Sequence, residues 1–514
     1  MPAFLFDMGG ESPNPPRHPY RVLRDWVKEN VFHEKLNTPW GYLGFSLAGL
    51  LVAWVMGRYG KEAAIWLLAV AILVPTLVGT VFHLRFGIWV FSGLVFTLPL
   101  VNRFLGEDLP SGLLIDMSLA GLLFGLFLRQ IRQRDWRPVY APASLMIFVW
   151  AAYCLLELVN PDAPSAEAWL YAVRATGGWM WVFFPIVFAI RNIREAGSLL
   201  AFWIVLGLCG AVYGIWQEWA GLSEGEWAWA MASFDRFEEL YLDDDFRKFS
   251  FLADPAVFGV LMSALTLPCL MLMLGSWVSR FWRVIFGLAA AVLVAAMIFS
   301  GTRTAFVALP VAYGLLMLIS LRPRVWLVGL AGLGLLAVLV FVSWDNPHFQ
   351  RMQSAFRPQE AISFQTRLDN QAYVQPLVRS HPIGMGLGST GYWGQRFAPY
   401  TLLSQFPPDS GFVRLAVETG WVGLGLYLAL IFTILMQGVV GYFRSKDRRV
   451  RTFYLALLGM VLVFVMANYT QDILLTLPAG PLFFMAGGLL LRMRQLDKLP
   501  TARARQEALH PLAS

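Results

Sequence analysis

Residues 282–320 read WRVIFGLAAAVLVAAMIFSGTRTAFVALPVAYGLLMLIS. Two apolar runs, 282–300 and 304–320, meet across the short turn Ser300-Gly301-Thr302-Arg303-Thr304. Each run approaches the roughly 20 residues that carry a helix across a hydrocarbon core of about 30 Å. Backbone groups in lipid must pair within their own segment, so such runs are expected to be helices. Working outward, comparable runs recur at 40–57, 62–81, 85–101, 112–129, 141–159, 177–190, 197–219, 255–276, 325–343, 412–437, 452–474 and 477–491. The expected fold is all-α, a polytopic membrane helical bundle of about 14 transmembrane helices, with a helical outer loop between the eleventh and twelfth spans.

Composition agrees with lipid as the main solvent. Of 514 residues 57% are hydrophobic and 14% charged, and the mean hydropathy is +0.58, outside the range of ordinary soluble domains. The net charge of +7 sits mostly in short clusters between apolar runs, where it orients a membrane protein, so no nucleic-acid partner is expected. Cys154, Cys209 and Cys269 all lie in apolar runs and suggest no disulfide framework. Residues 1–39 are polar and proline-rich, with Arg21, Arg24 and Lys28, unlike a cleavable signal. The expected layout is a cytoplasmic tail (1–39), a transmembrane part (40–343) with an acidic outer loop (220–254), a large outer loop (344–411), C-terminal spans (412–494) and a cytoplasmic tail (495–514).

Orientation rests on the basic loops. Arg129 with Arg132, Arg134 and Arg137, then Arg191 with Arg194, Arg280 with Arg283, Arg322 with Arg324, Arg444 to Arg451, and Arg492 with Arg494 all count to one side. Positive residues mark the inner side, which puts both termini inside. Arg58 and Lys61 are the exception. The two long loops, 220–254 and 344–411, then fall outside, where function is expected. No internal repeat stands out, which speaks against repeat-built transporters.

Three elements carry chemistry. Arg303 in the SGTRT turn can snorkel to lipid phosphates, as Arg at helix ends commonly does, or can present a guanidinium fork to a pyrophosphate. Ser363 to Ser389 begins as an amphipathic helix carrying Arg367 and ends in Gly384, Gly386 and Gly388, which allow tight turns and close approach of a ligand. Its spacing matches neither a dinucleotide fingerprint nor a phosphate loop. His381, next to Pro382, reads as structural. Asp409 and Ser410 open a third element, where either can cap the helix that follows. A carboxylate at that position can also accept a proton from a sugar hydroxyl. Glu418 lies inside that helix and needs a partner, for which Arg414, four residues earlier, is the candidate. Arg174 and Arg247 border the outer face and either snorkel or join an anion site.

SGTRT (300–304), HPIGMGLGS (381–389) and DSGFVRLAVETGWVGLGLY (409–427), in this order, resemble the O-antigen ligase and O-antigen polymerase superfamily of bacterial membrane glycosyltransferases. RKFSFLADPAVFG (247–259) is a weaker fourth match, and the resemblance spans about residues 247–435. It implies an inner-membrane enzyme without metal or cofactor, which moves a glycan from an undecaprenyl-pyrophosphate donor to a glycan acceptor on the periplasmic face. By carry-over Arg303 and Arg367 hold the pyrophosphate, and Asp409 stands in the place of the ligase His, where it can act as base; Arg174, Arg247, Gly384, Gly386, Gly388, Arg414 and Glu418 are the substrate-binding candidates that the residues themselves suggest. A flippase and a chain-length regulator are the partners such an enzyme works beside, in addition to membrane lipid. Where ligases commonly show His then Asn, this chain has Asp409 then Ser410, which favours a polymerase over a ligase acting on lipid A core. A protein O-oligosaccharyltransferase belongs to the same superfamily. A flippase is the competing class, but transporters place their binding groups near the midplane, whereas here the ionisable residues gather at the outer surface.

Overall fold

The computed structural model describes residues 71–105, 112–242, 245–342, 347–357, 362–408 and 410–497, with isolated positions between 38 and 58. The chain divides into two compact units, residues 3–79 and residues 80–514. In the first, residues from Ala71 are helical, and the Thr76 hydroxyl donates to the Ile72 carbonyl one turn back, at 2.7 Å. The expected spans 40–57 and 62–81 lie mostly outside the described residues.

The second unit is helical almost throughout. In chain order its spans are α1 (Leu84–Leu105), α2 (Gly112–Gln133), α3 (Pro142–Leu156), α4 (Ala166–Ala189) and α5 (Ile193–Ala220). Two short helices follow, α6 (Glu224–Met231) and α7 (Phe234–Leu240). A minimal hairpin then pairs Tyr241 with Phe246 and Leu242 with Asp245. Next come α8 (Pro255–Met273), α9 (Arg280–Phe299), α10 (Arg303–Ser320) and α11 (Pro323–Phe341). The large loop contains α12 (Pro347–Ala355), α13 (Ile362–Ser380) and α14 (Gly391–Phe397), so it is helical as expected. α15 (Gly411–Arg444), α16 (Arg448–Ala467) and α17 (Ala479–Asp497) complete the chain.

Among the described residues, 11 helices are long and apolar enough to cross a membrane. Each of the eleven matches an expected span. The run foreseen at 177–190 is longer, Ala166–Ala189, because a π turn at Arg174–Gly178 joins two shorter pieces into one helix. The run foreseen at 477–491 is α17, also helical and largely buried.

Helix starts follow local capping chemistry. Asn192 accepts from the Glu195 amide, Asp254 from Val257 at 2.7 Å, and Ser410 from Val413. Each satisfies an amide that a first helical turn leaves without a partner. Burial then sorts the spans. α8 and α16 bury 83% of their apolar stretches and form the centre, while α11 buries 17% and leaves most of its apolar side chains on the outside of the unit. Glycines let the central helices close on each other, Gly459 against Leu267 and Leu316, and Gly214 against Phe258.

The spans follow one another through short turns, which gathers the described residues of 221–242, 245–254, 300–303, 347–357, 362–408 and 468–478 at one end of the unit. Bonds across the chain bind that end together. The Lys248 amide donates to the Phe299 carbonyl (3.3 Å), the Gly411 amide to the Asn468 carbonyl (3.1 Å), and the hydroxyls of Thr304 and Thr470 pair at 2.6 Å. The acidic loop is anchored below by Arg103 of α1, which pairs with Glu226 at 3.4 Å; both side chains are 1% exposed. Arg103 also donates to the Ser250 and Leu252 carbonyls and lies over the rings of Trp229 and Phe249.

Candidate functional site

At this end of the unit, the mouth, one wall is the Ser300–Thr302 turn. Gly301 has φ +60, and a Cβ there would stand 2.8 Å from Nη1 of Arg351. The position therefore needs glycine both for its backbone and for the close approach of Arg351. The Ser300 hydroxyl donates to the Met297 carbonyl (2.7 Å) and accepts from the Thr302 amide (3.2 Å). Thr302 donates to the Pro255 carbonyl (2.7 Å), which ties the turn to the start of α8.

Arg247 braces the turn from behind. Its Nε donates to the Ser300 carbonyl (3.2 Å), Nη2 to the Thr302 hydroxyl (3.2 Å) and Nη1 to the Glu239 carbonyl (3.3 Å). Its guanidinium is buried, and burial first and Arg351 second lower its pKa to about 10. Arg303 follows as the first residue of α10, half-buried and close enough to add to the charge on Arg247. Two carboxyls share this wall. Asp254 is pushed up, mainly by burial. Glu239 keeps exposed surface yet lies among protein atoms. Burial, then Asp254, pushes its carboxyl up to about 7, against the pull of Arg247 and Arg236.

A second wall, joined to the first through the 468–472 turn, is the first part of α15. The helix breaks at Gly420, where φ is 68 and ψ −178. The Pro382–Met385 turn segment threads into the break: the Val422 amide donates to the Pro382 carbonyl (3.2 Å) and the Met385 amide to the Val417 carbonyl (3.0 Å). Tyr153 supplies a hydroxyl to the Thr419 carbonyl at 2.7 Å. A helix broken at membrane depth needs such replacements for its lost backbone bonds. A Cβ on Gly420 would lie 2.0 Å from the Pro382 carbonyl oxygen, and one on Gly384 would lie 2.4 Å from the Gly420 nitrogen. Gly386 packs on Ala163 and Gly388 on the Ala168 carbonyl. The close approaches that these three glycines permit are thus to the protein itself.

Between break and mouth sits a buried ionic cluster. Arg414 donates to Glu418 (Nε to Oε1, 3.1 Å) and to Asp472 (Nη1 to Oδ2), and Thr390 donates to the same Glu418 oxygen at 2.6 Å. Glu418 is fully buried, so the expected pairing with Arg414 is the contact that makes its charge tolerable there. Below the mouth, Val374 of α13 shares an apolar cluster with Val417, Leu403 and Phe406. This docks α13 on α15, with Arg367 two turns before the contact.

The expected site residues are therefore distributed as follows. Arg303, Arg414 and Glu418 stand at or under one mouth. Arg247 stands behind its wall with Nε, Nη1 and Nη2 all engaged by the framework. Arg174 lies elsewhere, in the π turn of α4, ion-paired with Asp116 of α2 at 2.6 Å. Asp409 falls outside the described residues, between Pro408 and Ser410, and the backbone of Arg367 is described without its side chain. Sequence reasoning missed Asp472, Thr470 and Glu239 as parts of the site. A lone Asp at the end of an apolar span was the available signal for Asp472.

Residues 288–428 match the family model described as O-antigen ligase. That stretch holds the Arg303 turn, α13, the glycine segment and the broken start of α15, but not Arg247, Glu239, Asp254 or the 468–472 turn. No curated protein matches the chain. Over residues 288–428 the chain is thus similar to the O-antigen ligase and polymerase superfamily, within a protein whose described residues include 11 helices long and apolar enough to cross a membrane.

Proposed function

We propose that the protein polymerises oligosaccharide repeat units carried on undecaprenyl pyrophosphate, at the periplasmic face of the bacterial inner membrane. The observation that carries this reading is the convergence, at one end of the spans, of the Arg303 turn, the start of α15 after residue 409, and the 468–472 turn. The basic loops at the other end support a cytoplasmic side there.

In the reaction, a hydroxyl oxygen of the acceptor glycan bonds to the anomeric carbon of the donor. The bond from that carbon to the pyrophosphate oxygen breaks, and its electron pair leaves with the lipid diphosphate. Arg303 and Arg367 stabilise the growing charge, as fixed guanidinium groups do for phosphate leaving groups. The carboxylate of Asp409 takes the proton from the attacking hydroxyl. Arg247 takes no part in that contact and fixes the turn that carries Arg303. Asp409 in place of the His usual in ligases favours repeat addition over transfer to lipid A core.

Reconstitution of the purified chain with a lipid-linked repeat unit tests this. A ladder of products is expected. A single addition to lipid A core would assign a ligase, a glycosylated protein an oligosaccharyltransferase, and lipid movement without a new bond a flippase.

A further inference from the structure

Away from the mouth, α2, α3 and α4 enclose a groove of about 460 Å³, lined by Leu119, Leu123, Leu155, Val173, Trp179 and Trp181. That volume lies in the range of ligand pockets, about 300–1,000 Å³. The π turn at Arg174–Gly178 contributes Arg174, Gly177 and Gly178 to its lining. Such turns inside α-helices recur at functional sites. The Trp150 indole donates to the Thr176 carbonyl (2.9 Å) and holds the turn in place. A Cβ on Gly177 would already press Cys154 at 3.3 Å, whereas one on Gly178 would meet only the Val173 carbonyl oxygen, at 3.6 Å. Leu155, on the lining, and Met117, Phe124 and Leu170, on the same helices, are exposed. The groove is therefore open toward lipid, and its occupant enters sideways from the bilayer.

Its head is polar. Arg174 and Asp116 form an ion pair about a third exposed on each side chain, with the Arg174 tip against Gly112 at the start of α2. The ion pair runs through the buried Arg174 Nε, while both side chains keep about a third of their surface exposed at the head of the groove. One positive and one negative group, side by side above an apolar slot, complement a headgroup that carries both charges. We propose that this groove binds one molecule of a zwitterionic aminophospholipid. One acyl chain lies between Trp181 and Leu119, the phosphate on Arg174 and the ammonium on Asp116. An anionic headgroup without an ammonium leaves Asp116 facing phosphate, which sets the preference. None of the lining residues belongs to either wall of the mouth, so the site does not depend on the proposed reaction.

The test is native mass spectrometry of the full chain in detergent micelles doped with equal phosphatidylethanolamine and phosphatidylglycerol. Wild type is expected to retain one phosphatidylethanolamine, with a preference of about tenfold over phosphatidylglycerol. Gly178→Leu, which fills the slot, is expected to lose the retained lipid. Arg174→Gln with Asp116→Asn, which keeps the shape and removes the charges, is expected to abolish the preference and decides the matter even if Gly178→Leu fails to fold. Equal retention of both lipids by wild type would overturn the proposal. So would retention unchanged in the charge-removing variant, or displacement of phosphatidylethanolamine by equimolar polyprenyl phosphate.

Discussion

On one side of the mouth, Arg247 is buried and gives its donors to the Ser300 and Glu239 carbonyls and the Thr302 hydroxyl, all uncharged acceptors. On the other, Arg414 is clasped by two carboxylates, Glu418 and Asp472. Both guanidinium groups are braces, yet they leave opposite charge behind. The first keeps its positive charge beside Arg303, and Glu239, raised to about 7, offsets only part of it near neutral pH. The second is outnumbered, and its surroundings are acidic. A mouth with one cationic and one acidic wall suits a reaction in which a diphosphate departs on one side and a hydroxyl loses its proton on the other.

The comparison can be broken at either wall. The largest effect is expected at the cationic wall: Arg303→Ala should lower glycan joining by about 100-fold or more, with normal amounts of protein in the membrane. Arg303→Lys should fall between that variant and wild type, because an ammonium lacks the two-pronged contact. Normal polymer length in both would remove Arg303 from the site. At the acidic wall the loss should instead be one of folding. Arg414→Ala leaves Glu418 buried without its cation, at a cost of about 3–5 kcal/mol, read as a fall in melting temperature and in membrane-inserted protein. A fully stable but inactive Arg414→Ala protein would make Arg414 a substrate contact rather than a brace.

A smaller effect separates the helix break from the ion pairs beside it. Gly420→Ala forces a Cβ into the Pro382 carbonyl and a side chain into positive φ, so about 1–3 kcal/mol of stability should be lost with the Arg414 cluster chemically intact. The smallest effect is a pH dependence at the cationic wall. Glu239 titrates higher in the folded chain, at about 7, than its ordinary 4.5. The folded state thus holds its proton more tightly; this stabilisation is full below pH 4.5 and is lost as pH rises through 7. Glu239→Gln should flatten the fall in melting temperature between pH 5 and pH 8, and an unchanged slope would assign the dependence to other groups.

Much of this was legible beforehand, for reasons visible in particular residues. Span length and hydropathy are local, so eleven expected runs appear as helices, and the turn at Ser300–Thr304 lies where its polar residues interrupt the apolar pattern. The Arg414–Glu418 pair was readable because four residues make one helical turn. Asp472 was not, since it reaches Arg414 from 58 residues away. Apolar periodicity runs through Gly420 undisturbed, so nothing local announced that Pro382 would supply the missing backbone bond. Arg247 and Arg174 read as ligand groups because sequence shows a charge and not its acceptors. One turned out to serve carbonyls and a hydroxyl, and the other Asp116.

The central claim is that the Arg303 turn and the 468–472 turn close one working mouth. Thr304→Cys with Thr470→Cys, in a chain whose three native cysteines are serines, tests it most directly, because the two hydroxyls already lie 2.6 Å apart. Oxidation in membranes should form the intramolecular disulfide readily and leave glycan joining intact, because the bond fixes the two turns where they already meet. Absence of the disulfide, or loss of glycan joining that reductant restores, would contradict the account.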